Sequence, residues 1–553
     1  MLQWRMNGQQ LQAAAIVAGA SAFLYFLTRF YMAREKIRKM QRANLPMPKF
    51  SFFAGHFLVI GKIMRSLPSD STIHNMMWQI SKDYPKGIFY VCLWPFSKTT
   101  MVITDAHAAS QLEGRVFAKG ATIIDPLEKI TGGKSLLTMD GEEWKRWRRL
   151  LSSGFSSNYM MGLAPLIADE VAVFRQKLLD RCSQGRSEMF QLEDLTMRLT
   201  FDVIGSVVLD TKFCHQIQDH PLAATLRKQI QWTSFKEPLS PLTKLFTIRP
   251  LVQWFYGRQL DRHISVELEK RLMERAEHRA LPTGGVKSRS KSIVSLFIDE
   301  YFKEVGEKEV EKTNVVIKKI ITPQIRLFLF AGHETTSSTL LYCYHLLSKN
   351  QDVLSRVIAE TTQVFGPNPA EVQDKIRKDP QLLNKTTYTT AFIKEVLRIF
   401  APSGSMRQGR QDTVIIDQDG KAHPTVGCNV WTVTQALHHN PRYWKDPELC
   451  IPERWLVGPE DPLYPPKGAW RPFEWGPRNC IGQTLAMIEL KVALVMTVRE
   501  FSFTAAYEEW DKLHPTGGIK TVDGERVYQS VEGGGGARPA DGFPVRIELR
   551  KSS

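Results

Sequence analysis

Between Leu327 and Ser348 the chain carries one acidic residue, Glu334, and no lysine or arginine. The run lies inside VVIKKIITPQIRLFLFAGHETTSSTLLYCYHLLSKN, residues 315–350, which reads as one helix of about 50 Å at 1.5 Å per residue. A helix that is apolar on most sides must lie in lipid or in the middle of a large body. Glu334, His333, His345 and six Ser/Thr hydroxyls would be costly to bury in lipid. The stretch therefore predicts a helix through the core of a large protein. The 553 residues, 43% of them hydrophobic, supply such a core.

A second uncharged run, LQAAAIVAGASAFLYFLT at 11–28, has the opposite character. Extended through Arg29, whose head can snorkel, it makes a membrane span at about residues 11–32. Arg34, Lys36, Arg38, Lys39 and Arg42 follow against one acid, Glu35, which places the downstream body in the cytosol. A cleaved leader would carry its basic residues on the other flank. Leu45-Pro46-Met47-Pro48 then reads as a stiff hinge, dividing the chain into an anchor, 1–44, and a body, 45–553. Seven cysteines without a CxxC pair exclude a disulfide scaffold and fit a reducing compartment. The net charge of +16 favours phospholipid head groups or an acidic protein partner. Zinc-finger spacing and aromatic–basic alternation are missing, so nucleic acid is not among the expected partners.

Helices are predicted over 140–182, 196–209 and 251–279, with a loop at 281–291. From 410 onward short alternating pieces set in, including a hairpin in DTVIIDQDGKAH around Asp419-Gly420, and a glycine run at 533–536 reads as a loop. The fold class is mainly α with minor β sheets.

Four groups carry chemistry. Cys480 stands in FEWGPRNCIG, a tight basic turn that would lower a thiol's pKa, although many lone cysteines are only small buried hydrophobes. No second cysteine or histidine sits near enough for a zinc set, which favours a centre with one protein ligand. In Ala331-Gly332-His333-Glu334-Thr335-Thr336 the first two residues remove bulk where a flat group could approach. Thr335 lies one turn on from Ala331, beside the proton source Glu334. Glu395 and Arg398 are spaced i,i+3 on an otherwise apolar helix, and Arg454 lies in a second charge cluster, PERW. Trp144 and Arg148, at i,i+4, suit a carboxylate or phosphate, or else form a solvated basic face with Arg149.

Together these residues resemble the cytochrome P450 family. Phe473, Gly476, Arg478, Cys480 and Gly482 match the haem-binding pattern Phe-x-x-Gly-x-Arg-x-Cys-x-Gly, and AGHETT matches the oxygen-activating helix. Glu395, Arg398 and Arg454 match the family's structural cluster; Trp144 and Arg148 match its Trp-x-x-x-Arg, and Arg407 in SGSMRQGR resembles the second propionate arginine. The likeness runs from about residue 45 to the end and is greatest to microsomal enzymes of fungal secondary metabolism. One departure is Cys450, where the family commonly has phenylalanine two positions before the proline of PERW.

The resemblance implies a P450 fold behind an N-terminal transmembrane helix, in the endoplasmic reticulum membrane with the body facing the cytosol. It implies haem b on a Cys480 thiolate and proton delivery by Thr335 and Glu334, with Ala331 and Gly332 leaving room for O₂. Electrons would come from NADPH through a separate NADPH-cytochrome P450 reductase, with cytochrome b5 as an accessory donor. The reaction implied is monooxygenation of an apolar small molecule; a reductant-independent isomerase or dehydratase and a haem-binding sensor are the alternatives. The substrate pocket would draw on residues 119–130, Phe328, Ser403–Met406 and the turn Pro539–Phe543.

Overall fold

A computed structural model describes residues 8–112, 118–233, 247–280, 292–305, 310–515, 517–531 and 536–550. The loop expected at 281–291 and most of the glycine run at 533–536 lie outside the described residues. Helices dominate, and eleven short strands complete the described chain: β1 Ile88–Val91, β2 Thr100–Ile103, β3 Phe190–Gln191, β4 Ser405–Gln408, β5 Val414–Ile416, β6 Ala422–Pro424, β7 Asn429–Thr432, β8 Phe501–Ala505, β9 Gln529–Ser530, β10 Arg538–Pro539 and β11 Pro544–Leu549. They form a four-stranded sheet in the order β1-β2-β7-β4, a three-stranded sheet β3-β11-β8, and two hairpin-like pairs, β5-β6 and β9-β10. The expected hairpin is β5-β6, with Gly420 at φ +79° where a side chain would be strained.

The long helix runs from Val310 to Lys349, 40 residues or about 60 Å. Its aliphatic and aromatic side chains, from Ile321 and Ile325 to Leu346 and Leu347, belong to the largest core cluster. Each fully buried Leu or Phe removes about 1.5–3 kcal/mol of apolar surface from water. Three of the helix hydroxyls bond to neighbouring segments. Ser337 bonds Thr196 at 2.7 Å, Tyr344 bonds Thr497 at 2.9 Å, and Ser338 donates to the Ala537 carbonyl at 2.7 Å. Arg326 is buried with its Nε donating to the Ile130 carbonyl and Nη1 paired with Asp261 at 2.9 Å. A Cβ at Gly132, φ +76°, would meet that guanidinium at 2.2 Å, so the preceding helix must end on glycine.

The helix expected over 140–182 is broken into Gly141–Ser152, a 3-10 turn at Ser153–Phe155, Ser157–Gly162 and Ala164–Arg181. Ser156 adopts an extended conformation (φ −65°, ψ 145°), and Pro165 opens the last piece, where its missing N–H costs nothing. The segment 196–209 is helical from Leu192 to Ile204 and closes in a π turn, Gly205–Leu209.

The N-terminal helix, Gly8–Arg42, is the one described helix long and apolar enough to cross a membrane, with mean hydropathy 1.7 and its apolar stretch wholly exposed. Its last third docks onto the body. Ile37 and Met40 join β1, β2 and β7 side chains in a core cluster, and Phe30 meets Phe52 and Trp94 at 5.6 and 5.7 Å. Three of the five cations that follow the apolar run serve this contact, Arg38 by lying 4.3 Å over the Phe52 ring. Arg34 is buried and donates to the Phe53 carbonyl at 2.9 Å, and Lys36 donates to the Gly427 carbonyl at 2.7 Å.

Candidate active site

The Cys480 turn follows from its glycine and its hydrogen bonds. Gly476 sits at φ +78°, the Asn479 N–H donates to the Gly476 carbonyl at 3.1 Å, and the Cys480 N–H donates to the Phe473 carbonyl at 2.8 Å. Arg148 grips the turn from outside, donating to the Asn479 carbonyl and to its Oδ1, both at 2.8 Å. Trp144 is buried with the Arg478 guanidinium 4.3 Å above its ring. Trp144 and Arg148 thus stand on one face, as i,i+4 spacing predicts, and the solvated-face alternative fails. Phe473 is half-buried, 6.1 Å from Trp470.

The helix Gln483–Thr497 starts three residues after Cys480 and packs on the long helix. The thiol is exposed although the turn is surrounded by protein, and Ala331 is exposed in the middle of an otherwise buried helix. Burial nevertheless pushes the Cys480 thiol up, against the Gly482 and Gln483 N–H groups and Arg148, which pull it down. The sequence expectation of a lowered pKa is corrected on this point: one guanidinium and two N–H groups do not offset desolvation.

Around the turn lies an excess of buried cations. Arg407, opposite Val430 in the β4–β7 ladder, has a buried Nη1 without a partner, and so does Arg478 at Nε. Arg478 Nη2 donates to the Met139 carbonyl at 2.7 Å and pairs with Asp140. Burial lowers Arg407 and Arg148, and lowers Arg478 to about 10. Lys119, which no motif singled out, joins them. Burial, then Arg407 and Arg478, push its ammonium down to about 7, and the neighbouring Ala118 carbonyl accepts from Gln408 of β4. Glu474 and Asp140 are the acids acting on Arg407. These two acids are outnumbered by the cations and leave Arg407 Nη1 and Arg478 Nε without partners, which the two carboxylates of a haem would supply.

Gly482 is at φ −84°, and a Cβ there would stand 3.9 Å from Cys480 Sγ, an ordinary contact. No neighbouring chain atom demands the glycine, so the room it leaves serves what binds at the thiol. Gly332 differs. Its missing Cβ would fall 2.6 Å from Ile204 Cδ1, so it lets the long helix approach the helix Leu192–Ile204. The exposed position of the two is Ala331. Gly332→Val should therefore overpack that contact and cost about 1–3 kcal/mol, read as a lowered urea midpoint of the purified protein.

Thr335 is half-buried with its Oγ1 donating back to the Ala331 carbonyl at 2.9 Å. Glu334 bonds to the C-terminal hairpin. Its Oε1 pairs with Arg538 at 3.3 Å and its Oε2 accepts the Gly536 N–H at 3.2 Å. Glu395, Arg398 and Arg454 are fully buried and joined through the Glu395 carboxylate. Of the expected pocket residues, Ser403 and Gly404 are exposed. Phe328 packs at a tilt against Phe155, ring centroids 5.3 Å apart, and Phe543 lies against His345 and Tyr507; both rings belong to the core.

The cytochrome P450 family profile matches residues 45–525. The chain belongs to the cytochrome P450 family. This P450 is 34% identical over 536 residues to the cytochrome P450 monooxygenase polC of Polytolypa hystricis, covering 96% of this chain and 94% of that one. It is 30% identical to the cytochrome P450 monooxygenase acrF of Aspergillus aculeatus over 88% of this chain and all of the relative. The crystal structure of the cytochrome P450DA heme domain superposes with a TM-score of 0.68 at 22% identity, covering 92% of this chain and 97% of the other, which shows the fold. Membership in this fold and family supports monooxygenase chemistry, and the family implies haem b with a thiolate ligand. The orphaned guanidiniums and the open thiol fit that group.

Proposed function

We propose that this P450 inserts one oxygen atom from O₂ into an apolar small molecule, by hydroxylation or epoxidation, in fungal secondary metabolism. The observation that carries the reading is the pairing of an open Cys480 thiol with an acid–threonine step, Glu334 and Thr335, beside the exposed Ala331. The monooxygenases polC and acrF, similar along nearly the whole chain, support it.

Cys480 would hold haem b by its sulfur, with Phe473 shielding that sulfur from water. Arg407, Arg478 and Arg148, with Trp144 behind them, would hold the propionates. Bound there, the group supplies one-electron chemistry with O₂ on an electron-donating thiolate. The chain's own part is positional. Arg148 fixes the turn through Asn479, Gly476 and Gly482 give it its shape and its room, and the Thr335 hydroxyl would pass on protons for which Glu334 is the source. Glu395, Arg398 and Arg454 keep the scaffold in place. In this reading residues 1–44 anchor the enzyme once in the endoplasmic reticulum membrane, and 45–553 form the haem-thiolate body on the cytosolic side. The excess of basic residues suits phospholipid and an NADPH-cytochrome P450 reductase as electron donor, with cytochrome b5 as a second donor.

Thr335→Ala tests the reading. The variant should bind haem as the parent does and still consume NADPH with reductase and O₂. Oxygenated product per NADPH should fall on the order of tenfold, within the reach of one positioned proton donor. Metabolites that accumulate on gene deletion provide the substrate for the assay. Product formation that needs neither NADPH nor reductase would favour an isomerase instead.

A further inference from the structure

The acid of the oxygen-activating helix is held by a residue on the C-terminal hairpin, more than 200 positions away. Arg538, on β10, reaches Glu334 Oε1 with Nη2 at 3.3 Å and Glu193 Oε1 with Nη1 at 2.7 Å. Glu193 lies in the first turn of the helix Leu192–Ile204. Two carboxylates thus share one guanidinium, and the three side chains keep only 7%, 12% and 19% of their surface, for Glu334, Arg538 and Glu193.

The backbone locks this arrangement. The Gly536 N–H donates to Glu334 Oε2, Ser338 on the long helix donates to the Ala537 carbonyl at 2.7 Å, and Ala537 N–H donates to the Pro402 carbonyl. On the other side Gln191 Nε2 donates to the Asp541 carbonyl at 2.9 Å. A Cβ at Gly542 would stand 3.1 Å from Glu193 Oε2. The other charged or titratable groups around the pair are Arg227, exposed on the helix Pro221–Thr233, and His333, which acts on neither carboxylate as a cation because burial holds its imidazole down. Burial pushes Glu193 up and Arg538 pulls it down, so the shared cation decides how much negative charge this corner holds.

We propose that Arg538 and Glu193 are positioning residues for Glu334: together they tie the helix acid to the C-terminal hairpin and govern how readily it passes a proton to Thr335. The inference rests on the monooxygenase reading. Both carboxylates lie within hydrogen-bonding reach of one guanidinium, so removing either partner changes the charge beside Glu334 in a known direction. Glu193→Gln removes a negative charge that competes for Arg538, which favours negative charge at Glu334. Arg538→Gln leaves two buried carboxylates side by side without their cation, which favours retention of a proton.

The test uses the full-length haem-loaded protein in lipid with reductase and no organic substrate. In that reaction NADPH and a proton reduce O₂ to hydrogen peroxide, and NADP⁺ leaves. NADPH consumption over a pH series should fall on its alkaline side at lower pH in Glu193→Gln and at higher pH in Arg538→Gln. Each shift should be about one unit or more, the effect of a charge within hydrogen-bonding distance. Arg538→Lys should return the profile toward the parent's. A purely structural role would lower the rate at every pH without moving the profile, and that result, or shifts in one direction for both variants, overturns the proposal. Glu334→Gln separates the two levels. If it leaves the profile unchanged, the proton-delivery reading itself fails; if it alters the profile while the other variants do not, only this inference fails. Should Arg538→Gln not fold, the direction of Glu193→Gln decides.

Discussion

Cys480→Ala should give a folded protein whose reconstituted form lacks the absorption of a thiolate-bound haem and whose NADPH-dependent product falls to background. Folding should survive because the chain uses Cys480 through its backbone. The N–H that donates to the Phe473 carbonyl is retained in alanine, and the exposed side chain leaves no packed cavity behind. Unfolding of the haem-free variant should therefore stay within about 0.5 kcal/mol of the parent, as for other exposed substitutions. Haem should still enter, because the propionate-side cations Arg407, Arg478 and Arg148 are untouched, so loss of the thiolate signal will not simply report an empty protein. Retained turnover in this variant would sink the assignment of Cys480 as the iron ligand. Cys480→Ser, which keeps size and a weak oxygen ligand, should likewise lose the thiolate absorption.

The Cys480 turn and the Trp144–Arg148 face were legible because each sits in a short pattern whose spacing is set by local structure. Trp144 and Arg148 share a face through the helical repeat, and Gly476 is demanded by a positive φ. What lay beyond the sequence is set by partners far along the chain. Periodicity shows that the long helix is buried all round, yet only packing shows that Gly332 serves Ile204 while Ala331 stays open. Phe328 and Phe543 are apolar and near the right motifs, but sequence could not show that their rings pack on Phe155, His345 and Tyr507. Arg34 and Lys36 read as charges flanking a span, and the fold spends them on Phe53 and Gly427 carbonyls. Arg538 carried no signal at all, since its meaning comes from Glu193 and Glu334. The expected lowering of the Cys480 pKa failed for a related reason. Neighbouring basic letters are visible in sequence, whereas the desolvation that outweighs them is a property of the folded surroundings.

Glu395→Ala should be the most damaging single change to the fold. Its Oε1 accepts from Arg398 Nη2 at 2.9 Å, Arg454 Nε at 3.2 Å and the Ile451 N–H at 3.1 Å. Its Oε2 accepts from Arg398 Nε at 3.0 Å and Trp455 Nε1 at 3.1 Å. All three charged side chains have no exposed surface, so alanine strands two guanidiniums away from water. Breaking a buried pair typically costs about 3–5 kcal/mol, a large part of the ~5–15 kcal/mol that holds a native domain. The damage should travel to the Cys480 turn along a traceable route. Arg398 donates to the carbonyls of His438, Pro447 and Leu449, and His438 Nδ1 bonds the Arg398 carbonyl at 3.0 Å. His438 Nε2 in turn accepts the Arg471 N–H at 2.8 Å, two residues before Phe473. Burial pushes that imidazole well below its usual range, which keeps it neutral and able to accept at Nε2 while donating at Nδ1. Trp470 makes a parallel link, donating to the Lys394 carbonyl at 3.2 Å and touching both Trp455 and Phe473. Haem content per folded protein should thus fall together with stability in Glu395→Ala. Glu395→Gln, which keeps the shape and loses the charge, should fall between alanine and the parent. If Glu395→Ala unfolds within about 0.5 kcal/mol of the parent, the cluster is not what holds the Cys480 turn in place.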